Sequence, residues 1–258
     1  MTTTALVTGA SSGIGAAVAE RLAARGYRTL LVGRNQERLE AVAELCRSHA
    51  DSVPLSIDLA ELDAIEPAVA AAGGDNNRVE VLVNAAGQGV YRPFLEQSIE
   101  DHERLMRVNY GAAERMIRLA LPSMLEHGRG WVINIASMAA KIGPWGHGGY
   151  AAAKSALVSL TQTLAAEHHD TGVRFSYVNP GIVETRFFSR PDTEAFWPAV
   201  RRRAVPVDRA ADRIVGLLDR YRLELCIPKH YRLIDAIAAV SPGLAAAMVR
   251  RQSGPSRT

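Results

Sequence analysis

Tyr150 and Lys154 are separated by three alanines in the stretch YAAAKSALVSLTQTLAAEHH. On a helix this spacing sets the phenol and the amine one turn apart on one face. A phenol titrates near 10 and is a poor base at neutral pH, but a neighbouring ammonium favours the phenolate. Lysine is scarce in this chain: only Lys141, Lys154 and Lys229 occur among the many arginines. The plain alternative is a surface tyrosine lying on a lysine stem. A second chemical feature opens the chain, TGASSGIG over residues 8–15. Gly9, Gly13 and Gly15 follow a short apolar run and precede an alanine-rich segment. A turn of this kind aims free N–H groups and a helix N-terminus at a phosphate, and glycine lets the backbone approach a pyrophosphate. The spacing Gly-x3-Gly-x-Gly departs from the general G-x-G-x-x-G fingerprint. A tight strand–helix turn without a ligand is the bland reading.

The elements that must position these residues alternate along the chain. Apolar strand runs TALVTG, YRTLLVG, VPLSID, VEVLVN, WVINIAS, VRFSYVNP and LELCIP are separated by helical periods. The helices fall near 14–26, 35–49, 61–72, 101–127, 150–170 and 208–221. Continuous rather than alternating apolar runs mark strands covered on both faces. The expected fold is α/β: a doubly wound Rossmann domain with a seven-stranded parallel sheet flanked by helices, spanning 1–258. Residues 186–207 lack a clear period and read as a substrate lid, and 229–258 read as a helical tail.

The bulk numbers fit this reading. The chain has 258 residues, 48% hydrophobic and 22% charged, ordinary for a globular protein. A net charge of +3 is too small and scattered to argue for nucleic acid. Cys46 and Cys226 make no disulfide framework and are expected to be reduced, in keeping with a cytoplasmic location. The first strand starts at once, leaving no room for a signal peptide, and no apolar run approaches the roughly 20 residues of a membrane span. No metal-ligand spacing is present.

Read together, the motifs resemble the short-chain dehydrogenase/reductase family. Thr8 to Gly15 resembles its cofactor loop, and Asn84-Ala85-Ala86-Gly87 resembles its Asn-Asn-Ala-Gly. Asn109, Ser137, Tyr150-x3-Lys154 and Pro180-Gly181 with Thr185 follow in order, covering residues 5 to about 186. The resemblance implies that Tyr150 is the general acid/base and that Ser137 hydrogen-bonds the same substrate oxygen. It implies that Lys154 lowers the tyrosine pKa and binds the nicotinamide ribose, and that Asn109 holds a water on the proton path. It further implies cofactor contacts at Gly9, Ser11, Ser12, Gly13, Ile14, Gly15, Asp58, Leu59, Asn84, Ala85, Gly87, Tyr150, Lys154, Pro180, Gly181, Ile182 and Thr185. Asp58 resembles the adenine-contacting aspartate, with helix capping as the alternative. Ala85 replaces the second asparagine of the family motif, so some tethering of the central strands is expected to be lost.

An NAD site places an acid about 20 residues after the glycine loop, on the ribose 2′-OH. Arg34 stands there instead, with Ser12 or Asn35 at hand. A guanidinium suits a 2′-phosphate, so NADP(H) is expected over NAD(H). Tyr91, Phe94, Trp145, Phe187, Phe188, Phe196 and Trp197 lie in segments that can flank the nicotinamide. They suit a hydrophobic ketone, aldehyde or alcohol, or else serve only to fold the lid. Arg201-Arg202-Arg203 suits an acidic carrier, as in a 3-oxoacyl-carrier reductase, or is a solvated face. The tail breaks at Pro242 into two short helices. It suits a membrane surface or, preferred in a family of homodimers and homotetramers, a neighbouring subunit. A dinucleotide-binding regulatory or scaffold protein is the rival from another class. It is disfavoured because all four catalytic positions are filled. An epimerase or dehydratase is disfavoured by the glycine spacing.

Overall fold

The computed structural model describes residues 3–73, 78–189, 193–194 and 197–253. Seven strands form one sheet: β1 (Thr4–Thr8), β2 (Arg28–Gly33), β3 (Ser52–Ser56), β4 (Val79–Asn84), β5 (Gly130–Ile135), β6 (Val173–Pro180) and β7 (Glu224–Ile227). Their order is β3-β2-β1-β4-β5-β6-β7, and every pairing is parallel. The helices are α1 (Gly13–Ala24), α2 (Gln36–Arg47), α3 (Ile65–Gly73), α4 (Ile99–Met106), α5 (Ala112–Glu126), α6 (Ala139–Ile142), α7 (Gly148–Glu167), α8 (Trp197–Val200), α9 (Val207–Val215), α10 (Tyr231–Val240) and α11 (Pro242–Ser253).

The apolar strand runs divide by the two-residue period of the pleat. Ala5, Val7, Val81, Val83, Ile133 and Ile135 face one core, with side chains from α1, α2 and α9. Leu6, Leu82 and Val132 face the other, with side chains from α3, α5 and α7. This is the two-sided burial that the continuous runs imply.

The chain leaves β3 at one edge and re-enters beside β1 as β4, so the strand order reverses between β1 and β4. Open α/β sheets hold ligands outside the carboxyl ends of their strands at such a point. Thr8 and Asn84 are register partners there. The glycine turn and the Ala85-Ala86-Gly87 turn therefore leave the sheet side by side.

The long helix expected over 101–127 is interrupted. A wide π-helical turn at Arg107–Gly111 separates α4 from α5. Such turns are local insertions into the helical ladder and leave little trace in hydrophobic period. Cys46 and Cys226 are both free and buried. Among the described residues, no helix is long and apolar enough to cross a membrane.

Candidate active site

A cleft of about 1390 Å³ runs over the carboxyl ends of the strands. One end is backbone-rich. Gly9 has φ +69°, and a Cβ there would lie 2.7 Å from the Ala86 nitrogen. Only glycine lets the β1 and β4 turns part so closely. A Cβ on Gly15 would lie 2.4 Å from the Gly9 carbonyl oxygen. Ser12 is the N-cap of α1, makes no side-chain capping bond and lines the cleft. Ser11, Ser12, Gly13, Ile14, Gly15, Arg34, Asp58, Leu59, Ala85, Gly87, Pro180, Gly181, Ile182 and Thr185 all line this cleft with Gly9. A floor of glycines under a helix N-terminus, with room beyond it, fits a dinucleotide.

Arg34 is exposed at the end of β2 and makes no ion pair among the described residues. Arg38 lines the same corner, one helical turn on, and its guanidinium is likewise unpaired among the described residues. Sequence reading missed Arg38, which stands on the first turn of α2, three residues past the Asn35 N-cap. Asn35 is the α2 N-cap and accepts from the Arg38 N–H at 2.8 Å. Asp58 accepts from the Ala60 N–H at 3.0 Å within a turn and pairs with Arg104 at 3.7 Å; it lines the cleft and caps no helix, Glu61 being the N-cap of the next helical turn.

Asn84 and Asn109 are placed differently, since neither lines the cleft. The Asn84 amide donates to Asn134 Oδ1 at 2.9 Å, Asn134 donates to Thr161 Oγ1 at 2.8 Å, and Thr161 donates to the Leu157 carbonyl at 2.6 Å. This buried relay joins β4 and β5 to α7. Thr8 Oγ1 accepts from both the Ala85 and Ala86 N–H groups at 3.1 Å. Asn109 is buried in the π-helical turn, and both amide hydrogens are spent, on the Leu105 and Gln88 carbonyls at 3.0 Å. Its Oδ1 accepts from the Gln88 N–H at 3.2 Å. It holds the loop after β4 in place beside Lys154.

At the centre of the cleft, Ser137 follows β5, while Tyr150 and Lys154 stand on the first turns of α7. Ser137 and Tyr150 share a side-chain hydrogen bond. Lys154 Nζ donates to the Ile135 carbonyl at 2.7 Å and lies 6.0 Å from the Tyr150 ring centre. The expected acidification of the phenol is reversed in this state. Burial pushes Tyr150 up to about 12, the Ser137 bond opposing it only in part. Burial also brings Lys154 down to about 7. Desolvation disfavours the charged form of each group.

His147, three residues before Tyr150, was not singled out from sequence. It is buried, lines the cleft, and stacks at a tilt 5.8 Å from Tyr150 and 5.2 Å from Tyr91. Burial lowers it to about 4, so it is neutral at pH 7.

The other end of the cleft is apolar and is built by lid and tail. Phe187 and Phe188 line it, with Phe187 5.7 Å from the Tyr150 ring. Tyr91 and Trp145 instead pack edge-on against each other at 5.3 Å, behind His147. Phe94 is 66% exposed, and Phe196 lies outside the described residues. The aromatic set thus divides between lining the cleft and folding its surroundings. Of the three adjacent arginines only Arg203 reaches the lining. The tail folds back over its own chain. Tyr231, Ile234 and Val249 line the cleft, and a Cβ on Gly181 would lie 2.0 Å from the Tyr231 ring. Lys141 on α6 bridges Glu224 of β7 and Asp235 of α10, each at 3.4 Å.

Comparison with known proteins agrees with this arrangement. The family model described as short chain dehydrogenase matches residues 3–194. NovJ, a short-chain reductase protein of Streptomyces niveus, is 38% identical over 182 residues, covering 70% of this chain and 69% of that protein. D-threitol dehydrogenase of Mycolicibacterium smegmatis is 35% identical over 182 residues, covering 70% of each. Among solved structures, a short-chain dehydrogenase from Sphingobium yanoikuyae in complex with NADPH is 30% identical, with TM-score 0.81 and full coverage of both chains. With the family model spanning most of the chain and relatives above 30% identity, the protein belongs to the short-chain dehydrogenase family and is an NAD(P)-dependent oxidoreductase.

Proposed function

We propose that the protein interconverts a hydrophobic ketone or aldehyde and the corresponding alcohol, with NADP(H) as redox partner. The observation that carries this reading is the position of Ser137 and Tyr150 at the junction of the glycine-lined and apolar halves of one cleft. NADP(H) supplies or accepts the hydride when bound; the protein's own work is positioning and proton transfer.

The glycine loop and the α1 N-terminus receive the pyrophosphate. Arg34 and Arg38 receive the 2′-phosphate, with Ser12 and Asn35 beside them. Asp58 and Leu59 border the adenine, while Gly181, Ile182 and Thr185 border the carboxamide. Lys154 bonds the nicotinamide ribose. Tyr150 carries its proton at neutral pH and gives it to the carbonyl oxygen on reduction, while Ser137 donates to the same oxygen. In the reverse direction Tyr150 collects the hydroxyl proton. Asn109 acts as a positioning residue, fixing Gly87 and Gln88 beside Lys154 at the inner end of the proton path. Phe187, Phe188, Tyr231 and Ile234 favour an apolar substrate body. We also propose assembly as a homodimer or homotetramer in the cytoplasm, supported by the exposed Leu95, Ile99 and Met106 around α4.

The test is NADPH consumption against carbonyls of graded size. Tyr150→Phe should lower turnover by about 10²–10⁴ while keeping NADPH affinity. Arg34→Asp should cut the NADPH/NADH ratio of kcat/KM by about tenfold or more. Turnover surviving in Tyr150→Phe refutes the acid/base role, and an unchanged ratio refutes the cofactor assignment.

A further inference from the structure

The tail helix α10 wears its polarity inside out. Its inward side carries Tyr231 and Ile234 to the cleft and Asp235 to Lys141. Its exposed residues are Arg232, Leu233, Ala236, Ala239 and Val240. At 3.6 residues per turn these five fall within an arc of about 120°. A surface helix ordinarily turns its polar face to water. Here the solvent face is apolar apart from one arginine. Leu233 is 66% and Val240 87% exposed, and Leu244, early in α11, is 54% exposed.

Charge identifies what the strip suits. From residue 229 onward the sequence holds Lys229, Arg232, Arg250, Arg251 and Arg257 against one acid, Asp235. That acid is already engaged by Lys141. Lys229 and Arg232 are exposed at the start of the strip. Leucine and valine on one face with basic residues beside it is the pattern that lies in a lipid interface. A second copy of the tail fits less well: it would bring like charges together.

We propose that the outward face of α10 and the start of α11 dock on an anionic phospholipid surface, lying in the interface without crossing it. The inference does not rest on the chemistry of the cleft. It does place the Tyr231, Ile234 and Val249 lining on the bilayer side of the molecule, where a membrane-dissolved substrate would enter.

The experiment is flotation of the full-length protein with phosphatidylcholine vesicles containing or lacking phosphatidylserine. The unaltered protein should float with the anionic vesicles and be released by high salt. The double variant Leu233→Glu/Val240→Glu should lose flotation by about tenfold or more, and Arg232→Glu by about fivefold or more. NADPH binding and thermal midpoint, read in the same samples, should stay unchanged, since all three side chains are exposed. Three outcomes would overturn the proposal: no flotation of the unaltered protein, equal flotation with neutral vesicles, or full flotation of the double variant. A fall in sedimenting mass in the double variant, together with no vesicle binding by the parent, would assign the face to a second copy.

Discussion

The two ends of the cleft are made by different means. The dinucleotide end is made of backbone: strand termini, positive-φ glycines and the first turn of α1. Its geometry follows from the sheet, and the approach of Gly9 to Ala86 leaves almost no choice of residue. The substrate end is made of side chains on short segments. Phe187, Tyr231, Ile234 and Val249 come from the lid and tail, which rest on the sheet without belonging to it. A site fixed by backbone tolerates few substitutions but serves many substrates. A site fixed by side chains can be rewritten one residue at a time.

This contrast is open to a series of substitutions. The largest effect is expected from Gly15→Ala, whose new methyl meets the Gly9 carbonyl. It should cost about 3 kcal/mol or more, read as a lower thermal midpoint and a raised Kd for NADPH. An unchanged Kd would mean that the backbone end is less constrained than described.

His147 comes next. Its folded pKa of about 4 lies below the ordinary 6.5, so the unfolded chain takes up a proton first as pH falls. Stability should therefore fall between about 6.5 and about 4, by about 3 kcal/mol from this group alone. His147→Asn should flatten that part of the profile of thermal midpoint against pH. A profile unchanged in the variant would show that the imidazole is not the group responsible.

Phe187→Ala is predicted to raise KM for bulky ketones about tenfold, on the order of 1 kcal/mol, while leaving the NADPH Kd within about twofold. If both constants moved together, the two ends would not be separable. The smallest effect belongs to Lys141→Ala. Its two ion pairs are partly exposed, so under about 1 kcal/mol is at stake in overall stability. Limited proteolysis should nevertheless cut the tail faster, because α10 loses its bridge to α6.

The same division governed what could be read in the sequence. The strands were legible because two-sided burial writes continuous apolar runs, and the glycine turn because its steric demand excludes other residues. Tyr150, Lys154 and Ser137 were legible through their spacing and order. The π-helical turn was not, because Asn109 sits in an otherwise regular amphipathic stretch. Arg38 was passed over because a helix-surface arginine carries no mark until the cleft beside it is known. The direction of the Tyr150 shift is not legible in its spacing, which reports the neighbouring amine and says nothing of burial. The tail's helices and their break at Pro242 were legible. Their return over the chain's own cleft was not, since it depends on Lys141 meeting Asp235 across 94 positions of sequence.

The Asn84–Asn134–Thr161 relay has a consequence for how finely the chemistry is aimed. Oily contacts alone would let α7 roll on the sheet by several degrees at little cost, because leucines and alanines grip without direction. Three polar atoms in line have direction. They act as a key in a slot, locking the angular setting of the helix three to seven residues beyond the amine and two to three turns beyond the phenol. A change as small as Thr161→Val would leave the helix in place yet free its rotation, and the loss would appear first as sloppier stereochemistry in the alcohol produced.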